Sequence, residues 1–595
     1  QGGTRRGANM AVLRIDHPDV EEFITCKTNE NQITNFNISV GITDAFMTAV
    51  AEDREWSLRF PDLLDPRCKG FKGTFEQAEA QGIPFRVYKT VRARDLFEKI
   101  VKQAHHNGEP GLLFLDAANR SNPVPHLYQL EATNPCGEQW LGPYENCCLG
   151  SINLAQHLGP DHTVDWEKLR ENTRTATRFL DDVVDANVYV PAVPQLKEAA
   201  LRARRIGLGV MGFADLLFQL GVPYDSEQAL DVAEKVMGFI QKESKEASRA
   251  LAEKRAVFPN FDKSLYKNME NSRFRNATTT TIAPTGTLSI IAGCSSGIEP
   301  LFALSFVRTV MDNDKLLETN PYFERVAHQR GFYSPEIMDA VARSGSIRHM
   351  EGIPQDVKEV FATAHDITPE WHVKMQAAFQ KHTDNAVSKT VNLPRDATVE
   401  DVMKVYNLSY ELGCKGITIY RDGSKENQVL RVDEKGKDLR PMISDVRDRP
   451  ETLEGFTTKV VTGMGNLYVT VTEMDGKPFE VFATIGKSGK STMAKTEAIG
   501  RLVSLALRSG IAPDKIVEQL QGICGEHPVF SKDGLVLSIP DAISKVLEKR
   551  YLKDQKPAHK YTNSLLGETC PECGQTVSFE EGCMTCHFCG FTKCG

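Results

Sequence analysis

From the first residue to about residue 425, short apolar runs alternate with stretches of helical periodicity, and this alternation restricts the fold more than any other feature. Residues 95–104 carry their apolar side chains at helical spacing, whereas Gly111-Leu-Leu-Phe-Leu-Asp116 is a brief apolar burst ending in a carboxylate, the pattern of a buried strand. Residues 279–283 and 415–420 are similar β-branched runs followed by turn residues. Strands separated by helices need a parallel sheet with helices packed around it, so the predicted class is α/β. Residues 425–450 are charged and poor in apolar side chains, as in a linker. Beyond them, residues 456–461, 466–473 and 479–485 read as strands, with Asp475-Gly476 as a two-residue hairpin turn between the last two. Residues 492–508 and 513–520 read as amphipathic helices, which makes this part a separate α+β domain. A Lys-rich stretch from 549 to 560 leads into a cysteine-rich tail.

Composition excludes several classes. Of 595 residues, 41% are hydrophobic and 25% charged, which is ordinary for a globular chain and wrong for a disordered or collagen-like one. No apolar run approaches the ~20 residues of a membrane helix. The net charge of −8 gives no electrostatic footprint for nucleic acid. The opening Gln1-Gly2-Gly3-Thr4-Arg5-Arg6 has no apolar leader, and a start at Gln rather than Met leads us to expect a chain lacking an N-terminal part. Eight of the fourteen cysteines are scattered (26, 68, 136, 147, 148, 294, 414 and 524) and six crowd the last 26 residues. That distribution fits a reducing, cytoplasmic setting with a metal-binding tail rather than a disulfide framework.

The tail carries Cys570-Pro-Glu-Cys573-Gly, Cys583, Cys586-His-Phe-Cys589-Gly and Cys594. Two Cys-x-x-Cys-Gly knuckles supply four thiolates for tetrahedral Zn²⁺, as in a zinc ribbon, and two thiols remain. If Cys570, Cys573, Cys586 and Cys589 hold the metal, Cys583 and Cys594 are available for thiol–disulfide exchange. Alternatively Cys589 and Cys594 exchange and Cys583 becomes a ligand; spacing does not choose between these assignments.

Asn134-Pro135-Cys136-Gly137-Glu138 is followed by Tyr144-Glu145-Asn146-Cys147-Cys148-Leu149-Gly150-Ser151. In an extended segment, Asn134, Cys136 and Glu138 would project to one face and present an amide, a thiol and a carboxylate together, a plausible reaction centre beside the commonplace alternative of a buried turn cysteine. Pro284-Thr285-Gly286-Thr287-Leu288 follows a β-branched run and opens a helical segment, which suits either an anion site or a plain helix cap. Gly207-Leu-Gly209-Val-Met-Gly212 superficially matches a dinucleotide fingerprint. The basic run before it, 201–206, makes a poor buried strand, so we read these glycines as close helix packing.

Taken together, these motifs resemble the large catalytic chain of ribonucleotide reductase, most closely the adenosylcobalamin-dependent class II type. The resemblance begins at Arg5-Arg6-Gly7-Ala8 and His17-Pro18-Asp19 and continues through Gly108-Glu109-Pro110-Gly111. It extends through residues 134–138, 147–154, 284–289 and Gly413-Cys414-Lys415-Gly416 to Tyr420-Arg421-Asp422-Gly423-Ser424. It implies most of a ten-stranded α/β barrel over 1–430, a linker at 431–451, a TSCPD-like α+β domain at 452–552 and a zinc ribbon at 566–595. It further implies that ribonucleoside diphosphates are reduced to deoxyribonucleotides by thiyl-radical chemistry started by adenosylcobalamin. Cys136 would carry the thiyl radical, Glu138 would accept the 3′-hydroxyl proton and Asn134 would hydrogen-bond the sugar. Cys147 would be one reducing thiol, with Cys148 a bystander. The ribose would lie against Asn134, Pro135, Cys136, Gly137 and Glu138, and the substrate phosphates against Pro284, Thr285, Gly286, Thr287 and Leu288. Cys583 and Cys594 would relay electrons from a thioredoxin- or glutaredoxin-like donor. A homodimer, and nucleoside triphosphate effectors bound upstream of residue 1, are implied as well.

In the family the second reducing cysteine lies upstream of Arg5-Arg6-Gly7-Ala8, and Cys26 and Cys68 do not replace it. The isolated chain is therefore expected not to turn over. A class I large subunit, the nearest alternative, would carry two adjacent tyrosines where Ile419-Tyr420-Arg421 offers one. A glycyl-radical class III enzyme fits less well, because Glu138 and Cys147 point to a dithiol reductant. A zinc-ribbon nucleic-acid-binding protein is more remote still, since the tail lacks interleaved aromatic and basic residues. Purified protein should contain about one zinc per chain by plasma mass spectrometry, and Cys570→Ser combined with Cys573→Ser should remove it.

Overall fold

The computed structural model describes residues 7–29, 33–309, 315–424, 447–486, 490–525, 527–531 and 534–552, with short strands at 578–580, 583–585 and 592–594. The chain forms two compact units, 1–434 and 435–595.

In the first unit the principal strands are β1 (Asn9–Arg14), β2 (Phe36–Ile42), β3 (Gly111–Phe114), β4 (Leu149–Asn153), β5 (Gly207–Met211), β6 (Thr390–Leu393) and β7 (Gly416–Arg421). β1, β2 and β3 run parallel, β7 lies antiparallel to β3, and β6 is parallel to β7. The residues leading into β6 bridge residues 278–282 in parallel through Val387 and Ile282. The same tract bridges β5 through Thr280 and Leu208, and β5 pairs in parallel with β4. The order is thus β1-β2-β3-β7-β6-(278–282)-β5-β4, with three tracts running one way and five the other among the described residues.

Helices cover these strands. In α1 (Ala93–Asn107), Leu96, Phe97, Ile100, Val101 and Ala104 are buried at helical spacing, and Gly108 in the left-handed region (φ 82°) ends the helix. α2 (Trp166–Ala186) and α3 (Glu227–Arg255) pack on each other over β4 and β5, burying Leu169, Leu180, Val236 and Ile240 with Leu208 and Val210. The Ser226 hydroxyl caps α3 by accepting from the Ala229 amide.

The Gly207–Gly212 segment is neither a dinucleotide loop nor a helix contact. Residues 207–211 are a fully buried strand. The basic residues before it do not belong to the strand: Arg204 turns aside in the left-handed region (φ 47°), and both Arg204 and Arg205 are buried against carboxylates. The close approach is between strands. A Cβ on Gly209 would stand 2.1 Å from the Thr281 carbonyl oxygen.

The second unit holds an antiparallel sheet of β8 (Glu454–Thr462), β9 (Gly465–Met474) and β10 (Lys477–Ile485). Its buried face, Leu467, Val469, Val471, Val481, Ala483 and Ile485, packs on α4 (Lys490–Arg508), α5 (Pro513–Leu520) and α6 (Ile539–Tyr551). Asp475 (φ 54°) and Gly476 (φ 73°) both take the left-handed conformation, as their hairpin turn requires. Helix α6, not anticipated from the sequence, is capped by the Ser538 hydroxyl and buries Ala542, Ile543, Val546 and Leu547. In the tail, Cys583–Thr585 pairs with Thr592–Cys594 so that Cys583 and Cys594 occupy opposed register positions. Cys570, Cys573, Cys586, Cys589 and most of the expected linker (425–446) lie outside the described residues.

Gly209→Ala forces backbone or Thr281 to move, and should destabilise the first unit by about 3 kcal/mol, read as a lowered urea midpoint.

Candidate active site

Residues Ala132–Thr133 pair with Trp140–Leu141, and the six residues between them form a tight loop. The Asn134 amide donates to the Gln139 carbonyl at 3.1 Å, and the Gln139 amide donates to Asn134 Oδ1 at 3.0 Å. The Gly137 amide closes a turn onto the Asn134 carbonyl at 3.0 Å, with Gly137 at φ 82°. The segment is therefore a turn and not the extended strand its ±2 spacing suggested. Asn134 and Glu138 still meet, because the Asn134 side chain folds back and hydrogen-bonds the Glu138 carboxyl. Cys136 is exposed at the tip and Glu138 is buried.

The loop is seated on both halves of the strand array. The Glu138 carbonyl accepts from Thr281 Oγ1 at 2.7 Å and from the Ala386 amide at 2.8 Å. On the other side, Asn37 Nδ2 of β2 donates to the Pro135 carbonyl at 2.8 Å.

Burial raises the Glu138 pKa above the usual carboxylate value, only partly opposed by the Asn134 hydrogen bond and a backbone amide, and its Oε2 has no hydrogen-bond partner. Cys147, in the loop before β4, is open to solvent on one side and has protein around it on the others. Its thiol is pushed up to about 12, first by that desolvation and then by the Glu138 charge and by Cys136 and Cys148. Asn134, Cys136, Glu138 and Cys147 are thus brought together. Cys148 points elsewhere: it is buried, with Sγ 3.5 Å from the Leu180 carbonyl.

Pro284 to Leu288 begin two residues beyond Ile282, at the end of the tract that holds Glu138. Thr281 to Pro284 spans about 10 Å at strand rise. Thr285 takes the left-handed conformation (φ 54°) and its Oγ1 accepts from the Gly297 amide at 2.7 Å. Gly286, Thr287 and Leu288 are exposed and open the short helix 286–292 (Gly286–Ala292), with free space around Gly286.

Sequence reasoning missed the buried polar residues behind these loops. Glu145 pairs with Arg205 (Nε to Oε2, 2.9 Å) and accepts from the Tyr128 hydroxyl. Lys389 is buried between Glu299 (2.6 Å) and His372 Nδ1 (2.9 Å). The only available signal was charge inside an apolar run: Arg204-Arg205 before β5 and Lys389 before β6. Cys26 and Cys68 stand apart from the site, Cys26 beside Lys27 and Glu109 and Cys68 in a small cluster with Ala78 and Ile83. Among the described residues no cluster of metal ligands occurs, and no helix is long and apolar enough to cross a membrane.

A helix-covered strand array with a cysteine-bearing loop seated on two of its tracts places the chain in a known class. Residues 1–274 and 265–420 match the family model described as the ribonucleotide reductase barrel domain, and residues 437–551 match the TSCPD domain. The chain belongs to the ribonucleotide reductase family. It is 50% identical over 431 residues to a vitamin B12-dependent ribonucleoside-diphosphate reductase of Thermoplasma acidophilum, covering 72% of this chain and 53% of the relative. It is 48% identical over 430 residues to the enzyme of the same description in Mycobacterium tuberculosis, covering 72% of this chain and 58% of the relative. The chain thus spans about half the length of the curated relatives it matches. Among solved structures, the alpha subunit of Actinobacillus ureae class Id ribonucleotide reductase superposes with a TM-score of 0.55 at 23% identity, covering 70% of each chain. That likeness establishes the fold.

At pH 8 Cys147 should carry roughly a thousandfold less thiolate than an ordinary cysteine and react correspondingly slowly with iodoacetamide. Glu138→Gln removes a neighbouring charge and should raise that rate severalfold, measured by peptide mass spectrometry with exposed Cys524 as reference.

Proposed function

We propose that this chain is the catalytic part of a class II ribonucleoside-diphosphate reductase that makes 2′-deoxyribonucleoside diphosphates for DNA synthesis. The observation that carries the reading is the gathering of Cys136, Glu138, Asn134 and Cys147 on two neighbouring loops. The names of the two relatives near 50% identity support dependence on vitamin B12 and diphosphate substrates. The eight strand tracts would be the larger part of a ten-stranded barrel. The division into barrel (1–430), linker (431–451), TSCPD-like domain (452–552) and zinc ribbon (566–595) is likewise a proposal.

A cobalamin, when bound, supplies a carbon radical by homolysis of its cobalt–carbon bond. The residues fit such a group at the point that matters, because the Cys136 thiol is exposed at the loop tip and open to a bulky reagent. As a thiyl radical, Cys136 takes the 3′-hydrogen atom of the ribose, forming S–H as C3′–H breaks. Glu138 takes the 3′-hydroxyl proton, and its burial-raised pKa makes it a stronger base than an exposed carboxylate. Asn134 hydrogen-bonds the sugar while the 2′-oxygen leaves as water. Cys147 and a partner thiol give two electrons and two protons, one proton completing the leaving water and one hydrogen filling C2′, and become a disulfide; Cys136 then returns the hydrogen atom to C3′ and Glu138 returns its proton to the 3′-oxygen. The exposed start of 286–292 (Gly286–Ala292) holds the phosphates. Cys583 and Cys594, opposed in register, would take electrons from a thioredoxin- or glutaredoxin-like donor. A homodimer, triphosphate effectors and a cytoplasmic location complete the proposal.

The test is anaerobic, dark reduction of CDP with adenosylcobalamin and dithiothreitol, using the protein translated from the whole reading frame that contains this chain. Deoxy-CDP should form without a second protein, and Cys136→Ala should abolish it. Product only after addition of a metal-bearing radical subunit would make it class I, and binding of single-stranded DNA without turnover would favour the nucleic-acid reading. Glu138→Gln should lower kcat by about 10²- to 10⁴-fold. Because Glu138 must be ionised, activity should fall as pH drops through a midpoint above the ordinary carboxylate range.

A further inference from the structure

The loop that carries Cys147 is fixed at both ends by the same three residues, 205–207. On its near side, Arg205 Nε reaches Glu145 Oε2 at 2.9 Å, and the same oxygen accepts the Gly142 amide at 2.8 Å. The Tyr128 hydroxyl donates to Glu145 Oε1 and is itself 3.1 Å from Arg205 Nη2. All three side chains are buried, the charged pair almost completely. On its far side, the Gly207 amide donates to the Cys148 carbonyl at 2.9 Å. Cys147 therefore hangs between two anchors with only Asn146 free of both. Tyr144 adds a backbone held at φ 64°, a conformation a tyrosine keeps only when its surroundings impose it.

We propose that Arg205, acting through Glu145, is the positioning residue that sets where the Cys147 thiol stands relative to Cys136 and Glu138. A buried carboxylate with three donors fixes the Gly142–Glu145 turn, and Arg205 joins that turn to the start of β5, the same strand that takes hold of Cys148. The loop and strand then move as one body. The importance of the placement rests on reading Cys147 as a reducing thiol, but the placement itself is tested without turnover.

The experiment is the pH profile of Cys147 alkylation by iodoacetamide in the full chain, followed by peptide mass spectrometry in Glu145→Gln, Arg205→Met, Arg205→Lys and Tyr128→Phe. Cys148, buried in the core, reports that the fold persists, and exposed Cys524 is the reference. Glu145→Gln and Arg205→Met should release the loop, carry Cys147 away from Glu138 and raise its alkylation at pH 8 about tenfold or more, with Cys148 still protected. Arg205→Lys should restore most of the slow rate, and Tyr128→Phe, which keeps the ion pair, should change it less than about twofold. Unchanged Cys147 reactivity in Glu145→Gln with Cys148 protected overturns the proposal. Equal exposure of Cys147 and Cys148 overturns it too, since the cluster would then only support the fold. Where Arg205→Met does not fold, Glu145→Gln against Tyr128→Phe decides. Correct placement of Cys147 in a protein that reduces no nucleotide would count against the functional reading alone.

Discussion

The carbonyl of Glu138 accepts two hydrogen bonds, one from the hydroxyl of Thr281 and one from the amide of Ala386, and the candidate site is built outward from that junction. Both donors are buried, so lifting the loop would leave the Ala386 amide without a partner, at about 1–3 kcal/mol, and the Thr281 hydroxyl with only its longer bond to the Ala386 carbonyl. The consequence runs in two directions. Toward the loop tip, the junction fixes the backbone from which Cys136 and the Glu138 carboxyl project. Toward the strands, it ties the loop to the tract that ends at Pro284 and to the residues entering β6. The thiol, the carboxylate and the turn at 284–288 therefore share one frame.

Much of that frame was legible in the sequence, and the failures have physical reasons. Buried strands such as 111–114 and the hairpin at Asp475-Gly476 follow from local rules, because neither needs a distant partner to be recognised. Asn134, Cys136 and Glu138 were grouped for the wrong geometric reason. Spacing suggested an extended segment, whereas Gly137 in the left-handed region turns the chain and the Asn134 amide side chain folds back across it. Residues 207–211 were misread because Arg204 and Arg205 looked too polar to introduce a buried strand. Nothing within the run announces that Asp181, Asp185 and Glu145, far away in sequence, neutralise them.

Those charges follow a pattern. Arg204 with Asp181, Lys245 with Asp384 and Lys389 with Glu299 each join a helix or loop to the start of a barrel strand. Such pairs add little net stability when both charges must leave water, but removing one partner is strongly destabilising. They specify register: a strand displaced by one residue would turn its charged residue away from the partner. Hydrophobic contacts in the cores on either side tolerate such slips far better, since one aliphatic surface resembles another.

Desolvation by the surrounding protein, with the Glu138 charge beside it, lowers the share of thiolate on the Cys147 sulfur at physiological pH. Peroxides and other electrophilic oxidants attack the thiolate, so the same placement shelters this sulfur from the first step of oxidation, to the sulfenic acid, while leaving it within reach of solvent. The site thereby holds a thiol in reserve through exposure to oxidants that would consume an acidic one.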